Sequence, residues 1–201
     1  MTLQSFDALP EEALKEILAL TEAKKRLDLQ EQAQNKFMPF AHHVYENFIE
    51  GRHHRVIAEK LEAVARGELK RLIINMPPRH SKSEFASYLM PAWFLGRNPK
   101  LKIIQATHNT ELAVRFGRKV RDLIDDPAYR EIFPETNLKE DNKGAGKWGT
   151  DKGGEYFAAG VGAAVTGRGA DLFVIDDPHS EQDAMSDTAF DNAYEWYTSG
   201  P

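Results

Sequence analysis

Two kinds of segment alternate along this chain, and the alternation constrains its fold more than any other feature. Short, almost wholly apolar runs (Arg71-Leu-Ile-Ile-Asn-Met76, Leu101-Lys-Ile-Ile-Gln-Ala106, Leu172-Phe-Val-Ile175) stand between longer stretches whose apolar residues recur every three to four positions. Apolar runs of this length read as strands buried inside a sheet, and the longer period reads as helices packed by one face. Strand, helix and strand in repetition are the pattern of an α/β fold with a mainly parallel sheet flanked by helices.

The pattern predicts the elements in turn. Residues 10–34 read as a polar helix: Pro10 suits its first turn, Glu11 and Glu12 favour the positive helix start, and Leu14, Ile17 and Leu18 form a stripe. This gives an N-terminal helical arm, 1–36, ahead of a domain spanning 37–201. A second helical region is expected after Pro39, broken at Gly51 and resuming through Ile57, Leu61 and Val64. Strand 71–76 ends at Pro77-Pro78, and a helix starts near Ser83 and runs towards Trp93, with Pro91 bending or ending it. Strand 101–106 is followed by helix 110–124, with Leu112, Phe116, Val120 and Leu123 along one face. Asp125-Asp126-Pro127 stops it. Residues 134–154, rich in Gly, Lys and Asp, read as irregular. Strands at 155–159 and 172–175 and a helix from Asp187 to Trp196 complete the reading.

Composition narrows the classes. A chain of 201 residues suits one domain with a substantial core. No apolar run is long enough to span a bilayer, and the polar start Met1-Thr2-Leu3-Gln4 is not that of a signal peptide. Without cysteine there is no disulfide framework and no thiolate ligand or nucleophile. A net charge of -5 argues against a protein that coats nucleic acid, so any such contact would come from a local basic patch.

Chemistry enters at Met76-Pro-Pro-Arg-His-Ser-Lys-Ser83. A loop between a buried strand and a helix start aims backbone N–H groups and the positive helix end at one spot, which suits a triphosphate. Pro78, Arg79, His80, Ser81, Lys82 and Ser83 would form this loop; Lys82 reaches the terminal phosphates, and the Ser83 hydroxyl ligates Mg²⁺. The standard phosphate-loop pattern has Gly where Met76 and Ser81 stand. The second substitution matters more, because Gly there permits positive φ and close approach of backbone to phosphate. The competing reading is an exposed basic turn. A second signal is Asp171-Leu-Phe-Val-Ile-Asp176-Asp177, which puts paired carboxylates at the C-terminal end of a strand, where α/β sheets place their ligands. Asp176 would serve the metal and Asp177 would polarise the attacking water. The competing reading is an ordinary Asp-Asp-Pro turn.

The words around both motifs resemble one family. Met76-Pro-Pro-Arg-His-Ser-Lys-Ser-Glu84 is similar to the Walker A region of tailed-phage terminase large subunits. Thr107 to Arg121 resembles the strand-helix segment that follows there. Phe157-Ala-Ala-Gly-Val-Gly162, Thr166-Gly-Arg-Gly-Ala-Asp-Leu172 and Val174-Ile-Asp-Asp-Pro178 resemble the run into the Walker B acids. The resemblance extends from about Phe37 to the end. It implies a P-loop ATPase subunit of a viral packaging motor, using ATP and Mg²⁺ to drive double-stranded DNA into a capsid. It also implies a portal protein and a small terminase subunit as partners, a homo-oligomeric ring when assembled, and action in the host cytoplasm. Carried over by position, Lys82 and Ser83 bind phosphate and metal, Asp176 serves the metal, and Asp177 replaces the usual catalytic Glu with a shorter reach. Arg168 lies where some members place an arginine finger that completes a neighbouring subunit's site; Arg79, inside the loop, competes for that role. Family members continue into a coupling-motif strand and a nuclease domain. The expectation is therefore a truncated product with an incomplete sheet, its own turnover left open.

Other signals carry less. His42-His43 and His53-His54 match no metal-site spacing, and adjacent histidines point to different sides of a helix. Arg115, Arg118, Lys119 and Arg121 make a basic helical surface that reads as a solvated face, with DNA or a neighbouring subunit as the alternative. Trp148 sits in a Gly-Lys-rich stretch with its role undecided. Two further functional readings compete with the packaging ATPase: another P-loop nucleic-acid translocase, and a non-catalytic remnant that at most binds nucleotide or motor subunits.

Overall fold

The computed structural model describes residues 10–165 and 167–199. Five strands, β1 (Lys102–Thr107), β2 (Leu138–Lys143), β3 (Lys147–Thr150), β4 (Glu155–Gly160) and β5 (Leu172–Ile175), form one sheet in the order β2-β3-β4-β1-β5. Seven α-helices surround it among the described residues: α1 (Glu11–Asn35), α2 (Phe37–Val44), α3 (Arg52–Ala65), α4 (Met90–Arg97), α5 (Thr110–Ile124), α6 (Pro127–Ile132) and α7 (Asp187–Ser199). The α/β class follows. No helix among these residues is long and apolar enough to cross a membrane.

The sheet is mixed rather than mainly parallel. β1 pairs in parallel with β4 and β5, while β2–β3 and β3–β4 are antiparallel. The expectation of irregular structure over 134–154 misses this hairpin because its glycines look like loop. Its Trp148 is fully buried, stacked on Tyr156 with ring centroids 4.8 Å apart, and donates its indole N–H to the Gly117 carbonyl at 2.9 Å. The hairpin crosses α5 at Gly117, where an added Cβ would lie 2.7 Å from the Ala145 carbonyl oxygen. Only a glycine lets helix and hairpin approach so closely.

β1 is the centre of the molecule. Its side chains alternate: Ile103 enters the large core beneath α4, α5 and the aromatic cluster of Phe37, Phe40, Phe85, Trp93 and Tyr129, and Ile104 enters a small cluster with Ala159 and Val165 on the other face. Trp196 of α7 covers that second face, packing on Phe173 and donating to the Ala163 carbonyl at 2.9 Å. α5 is capped by Asn109, whose side chain accepts the Leu112 N–H at 2.8 Å. It buries Ala113, Gly117 and Val120, so Leu112 and Phe116 lie at the rim of the expected face and are half-buried.

Three further boundaries differ from expectation. α2 begins at Phe37, placing Pro39 in its first turn, where a missing N–H costs nothing. α6 adds a short helix straight after α5, started by Pro127 and capped by the Asp126 carboxylate on the Ala128 N–H. The last turns of α1 join the body: Ala33 is fully buried, its carbonyl accepts the Trp93 indole N–H at 2.8 Å, and Gln34 donates to the Ile132 carbonyl at 2.6 Å. Further toward its N-terminus, α1 leaves Leu18 and Leu20 exposed. Residues 1–9 of the expected arm lie outside the described residues.

The expected strand 71–76 is not a strand. It is extended, and its burial alternates, with Leu72, Ile74 and Met76 against the core and Arg71, Ile73 and Asn75 outward. It joins no ladder, and Ile73 is 85% exposed. An apolar run predicts burial on two faces; here one face packs and the backbone pairs with no strand of the sheet.

Candidate functional site

The segment 71–76 delivers the chain to the phosphate-loop residues at the C-terminal ends of β1 and β5, on either side of which the strand order reverses, since β4 and β5 flank β1. That crevice is where α/β sheets hold ligands. Backbone strain concentrates there. Of the non-glycine residues with positive φ among those described, Arg79 (62°), Ser81 (62°) and Asp177 (46°) all belong to the site, and Asn47 (57°) lies in the wall beside it. Each left-handed non-glycine residue costs on the order of 1 kcal/mol, and such residues gather where a particular backbone shape is required. Ser81 adopts the positive φ that the glycine of the standard pattern would permit, rather than a different loop conformation.

A helix begins at Lys82 and runs without interruption to Arg97. Its stretch Glu84–Leu89 is π-helical, and the Met90 N–H reaches back to the Phe85 carbonyl. Pro91, which has no N–H to donate, follows directly and lies inside the helix rather than ending it. Lys82 meets both acids, Asp177 across 95 residues of sequence. Its Nζ donates to Asp177 Oδ1 and lies 3.5 Å from Asp176 Oδ1. Burial pulls the Lys82 amine down, but the Asp177 hydrogen bond and the charges of Asp176 and Asp177 outweigh it and raise the amine above its ordinary value. Asp176 is buried at 7% exposure, whereas the Asp177 side chain is 61% exposed. The second oxygen of Asp176 accepts the hydroxyl of Ser87, a fully buried residue of the π-turn, at 2.8 Å. The Asp177 carbonyl accepts the His108 N–H at 3.0 Å, tying the end of β5 to the end of β1. The helix is braced against α5 by Glu84, which pairs with Lys119 at 2.9 Å while Lys119 lies over the Tyr88 ring. Of the basic surface, Lys119 and Arg121 are thus engaged, Arg121 with Asp122, while Arg115 and Arg118 are exposed.

Beside the loop is a cleft of about 380 Å³, walled by Tyr45, Phe48, His53 and His54 on one side and by 79–81 on the other. His53 and His54 are in ring contact, and His53 also approaches His80, with centroids 5.7 Å apart. His54 Nδ1 accepts the Gly51 N–H at 2.8 Å, and its buried Nε2 has no partner among the described residues. Burial, then the neighbouring His53, holds the His54 imidazole below its ordinary value.

The structure brings together Lys82, Asp176 and Asp177 next to the loop residues 78–81, with Ser83 following Lys82 in the first turn of the helix. It does not bring in Arg168. That guanidinium lies at the opposite, N-terminal end of the strands, paired with Glu155 at 3.0 Å and stacked over Phe157. Thr166, quoted in the motif beside it, lies outside the described residues. Sequence reasoning missed Ser87 and the wall built by 45–54. The one legible sign of Ser87 is a small hydroxyl between the apolar residues Phe85 and Leu89 in a helix beginning at the loop.

Of the two donors expected for Mg²⁺, Asp176 lies beside Lys82 and Ser83 follows Lys82 in the helix; no group of three or more His, Asp or Glu side chains among the described residues is arranged to hold a metal. For a polyphosphate, the fit is a positive amine at a helix start, under a loop whose backbone is already bent to the left-handed form. No protein-family model matches the chain, and no curated protein matches it either.

Proposed function

We propose that this site binds ATP and that the chain is the nucleotide-binding part of a P-loop motor of the terminase type, driving double-stranded DNA into a viral capsid. The observation that carries the reading is the convergence of Lys82 with Asp176 and Asp177 at the sheet's C-terminal edge, on a loop strained where a phosphate would sit. In this reading Lys82 exchanges Asp177 for the terminal phosphates, and Asp177, freed, orients the attacking water. Ser83 and Asp176 hold Mg²⁺, which when bound neutralises charge on the phosphates. The cleft beside residues 79–81 takes the base and sugar against Tyr45 and Phe48. A ring of copies, portal and small-subunit partners and a place in the host cytoplasm go with the resemblance. Arg168 would have to release Glu155 to act on a neighbouring copy. Arg79, inside the loop and without an ion pair among the described residues, is the nearer cation.

One observation favours a second reading, nucleotide binding without turnover: the loop hangs from a segment that no strand pairs. Titration with a fluorescent ATP analogue and Mg²⁺, while following the thermal melt, tests the proposal. Saturable binding that raises the midpoint and is lost in Lys82→Ala supports it; a cooperatively folded chain that binds nothing sinks it. ATP turnover by the same sample separates the two readings.

A further inference from the structure

Asp176 could present either carboxylate oxygen to the crevice, and the structure assigns that choice to Ser87. We propose that Ser87 is a positioning residue: its hydroxyl holds Oδ2 of Asp176, which commits Oδ1 to the side of Lys82 and of the nucleotide's divalent cation. This rests on the nucleotide reading above and goes beyond it by naming what holds the metal-side carboxylate.

Three observations carry it. Ser87 is fully buried, Asp176 nearly so, and their contact at 2.8 Å spans 89 residues of sequence, so it is no surface accident. The two oxygens of Asp176 have different partners, Ser87 on Oδ2 and Lys82 at 3.5 Å on Oδ1. The hydroxyl also comes from the same helix that begins with Lys82 and Ser83, at the point where that helix is π-wound. A π-turn changes the angular spacing along a helix, and such turns gather at functional sites. Here the widened turn carries Ser87 to the end of β5, so one rigid element sets both the amine and the orientation of the acid opposite it. A hydrogen bond to a buried carboxylate is stronger than one between neutral groups, enough to fix a side-chain torsion.

The test uses the full chain, with Mn²⁺ as a spectroscopic substitute for Mg²⁺, and compares wild type with Ser87→Ala and Ser87→Thr. Binding of the fluorescent ATP analogue is measured in EDTA and in Mn²⁺, and bound Mn²⁺ is read by electron paramagnetic resonance. The expected result is that Ser87→Ala binds the analogue in EDTA as wild type does but loses about ten-fold of the Mn²⁺-dependent tightening. Ser87→Thr, which keeps the hydroxyl, should restore it. Tightening preserved within two-fold in Ser87→Ala overturns the proposal. A thermal-melt cycle of Ser87→Ala with Asp176→Asn, without nucleotide, keeps the two ideas apart. Additive effects mean that Ser87 does not hold Asp176, which also overturns the proposal. Coupled effects in a chain that binds no nucleotide sink the ATP reading and reduce Ser87 to a structural clamp, contrary to the proposal.

Discussion

Two extended segments of nearly equal apolar character meet opposite fates here. β1 is paired on both edges, buried on both faces and contributes Ile103 and Ile104 to two separate cores. Segment 71–76 has one packed face, no ladder and an exposed Ile73. β5 falls between them, paired along one edge only and half-buried over Leu172–Val174. The site is built across this gradient: its acids ride on the sheet, while its loop is tethered by side-chain packing and by the helix that follows. Pairing decreases from the centre of the sheet toward the segment that leads into the loop, and local stability is expected to decrease with it.

A pair of truncations should show the largest difference between the two segments. Ile103→Ala removes a fully packed side chain from the central strand and should cost about 2–5 kcal/mol in chemical denaturation. Ile73→Ala, of the same chemistry, should lie within about 0.5 kcal/mol of wild type. Equal costs would mean that 71–76 is paired in solution after all. Amide exchange gives the same contrast without substitution, with Ile103–Thr107 protected to near the global level and Leu72–Met76 exchanging early.

Asp177→Asn examines the junction of the two regions. Asn tolerates the left-handed backbone at φ 46°, so the turn should survive while the charge that holds Lys82 is removed. Because the Asp177 side chain is largely exposed, the released ion pair is worth at most about 1 kcal/mol. Nucleotide affinity should therefore rise by no more than about five-fold, as titration of the analogue would show, while any turnover falls. Weaker binding would mean that Asp177 supports the loop rather than competing for its lysine.

His54 offers a pH-dependent probe of the wall beside the loop. Its imidazole is held below 6.5, mainly by burial, so in the folded state the proton is disfavoured. As pH falls below about 6.5 the unfolded chain takes up a proton that the folded chain resists, and stability falls through that window. Above it both states are neutral at this site and the contribution vanishes. Thermal midpoints across the window should fall more steeply in wild type than in His54→Gln, and parallel curves would refute the assignment.

How far the sequence alone could lead follows from the same contrast. β1, α5 and the end of β5 were legible because local pattern and tertiary environment agree there. The hairpin of β2 and β3 was not, because its stability comes from Trp148 stacking on Tyr156 and bonding to α5, contacts that composition cannot show. Strand 71–76 failed for the converse reason: pattern describes side chains, and a strand also needs a backbone partner. At the site, the residue types of Lys82, Asp176 and Asp177 were readable from two motifs; the positive φ of Ser81 was not, because a serine in place of the glycine suggests a different loop conformation. Ser87 and the wall of Tyr45, Phe48 and His53 were not, since a fold and not a spacing brings them there.

The smallest effect belongs to Arg168, the one candidate that the fold keeps away from the cluster. Its ion pair with Glu155 is partly exposed, and such pairs contribute about 0–1 kcal/mol, so Arg168→Ala should barely move the thermal midpoint. It should also leave nucleotide binding by a dilute chain unchanged, because Lys82 and the acids lie at the other end of the strands. A function in a neighbour's site would show itself differently, as turnover that rises with protein concentration in wild type and fails to rise in Arg168→Ala. A drop in binding by the dilute variant would contradict the separation described here and place the guanidinium within reach of its own loop.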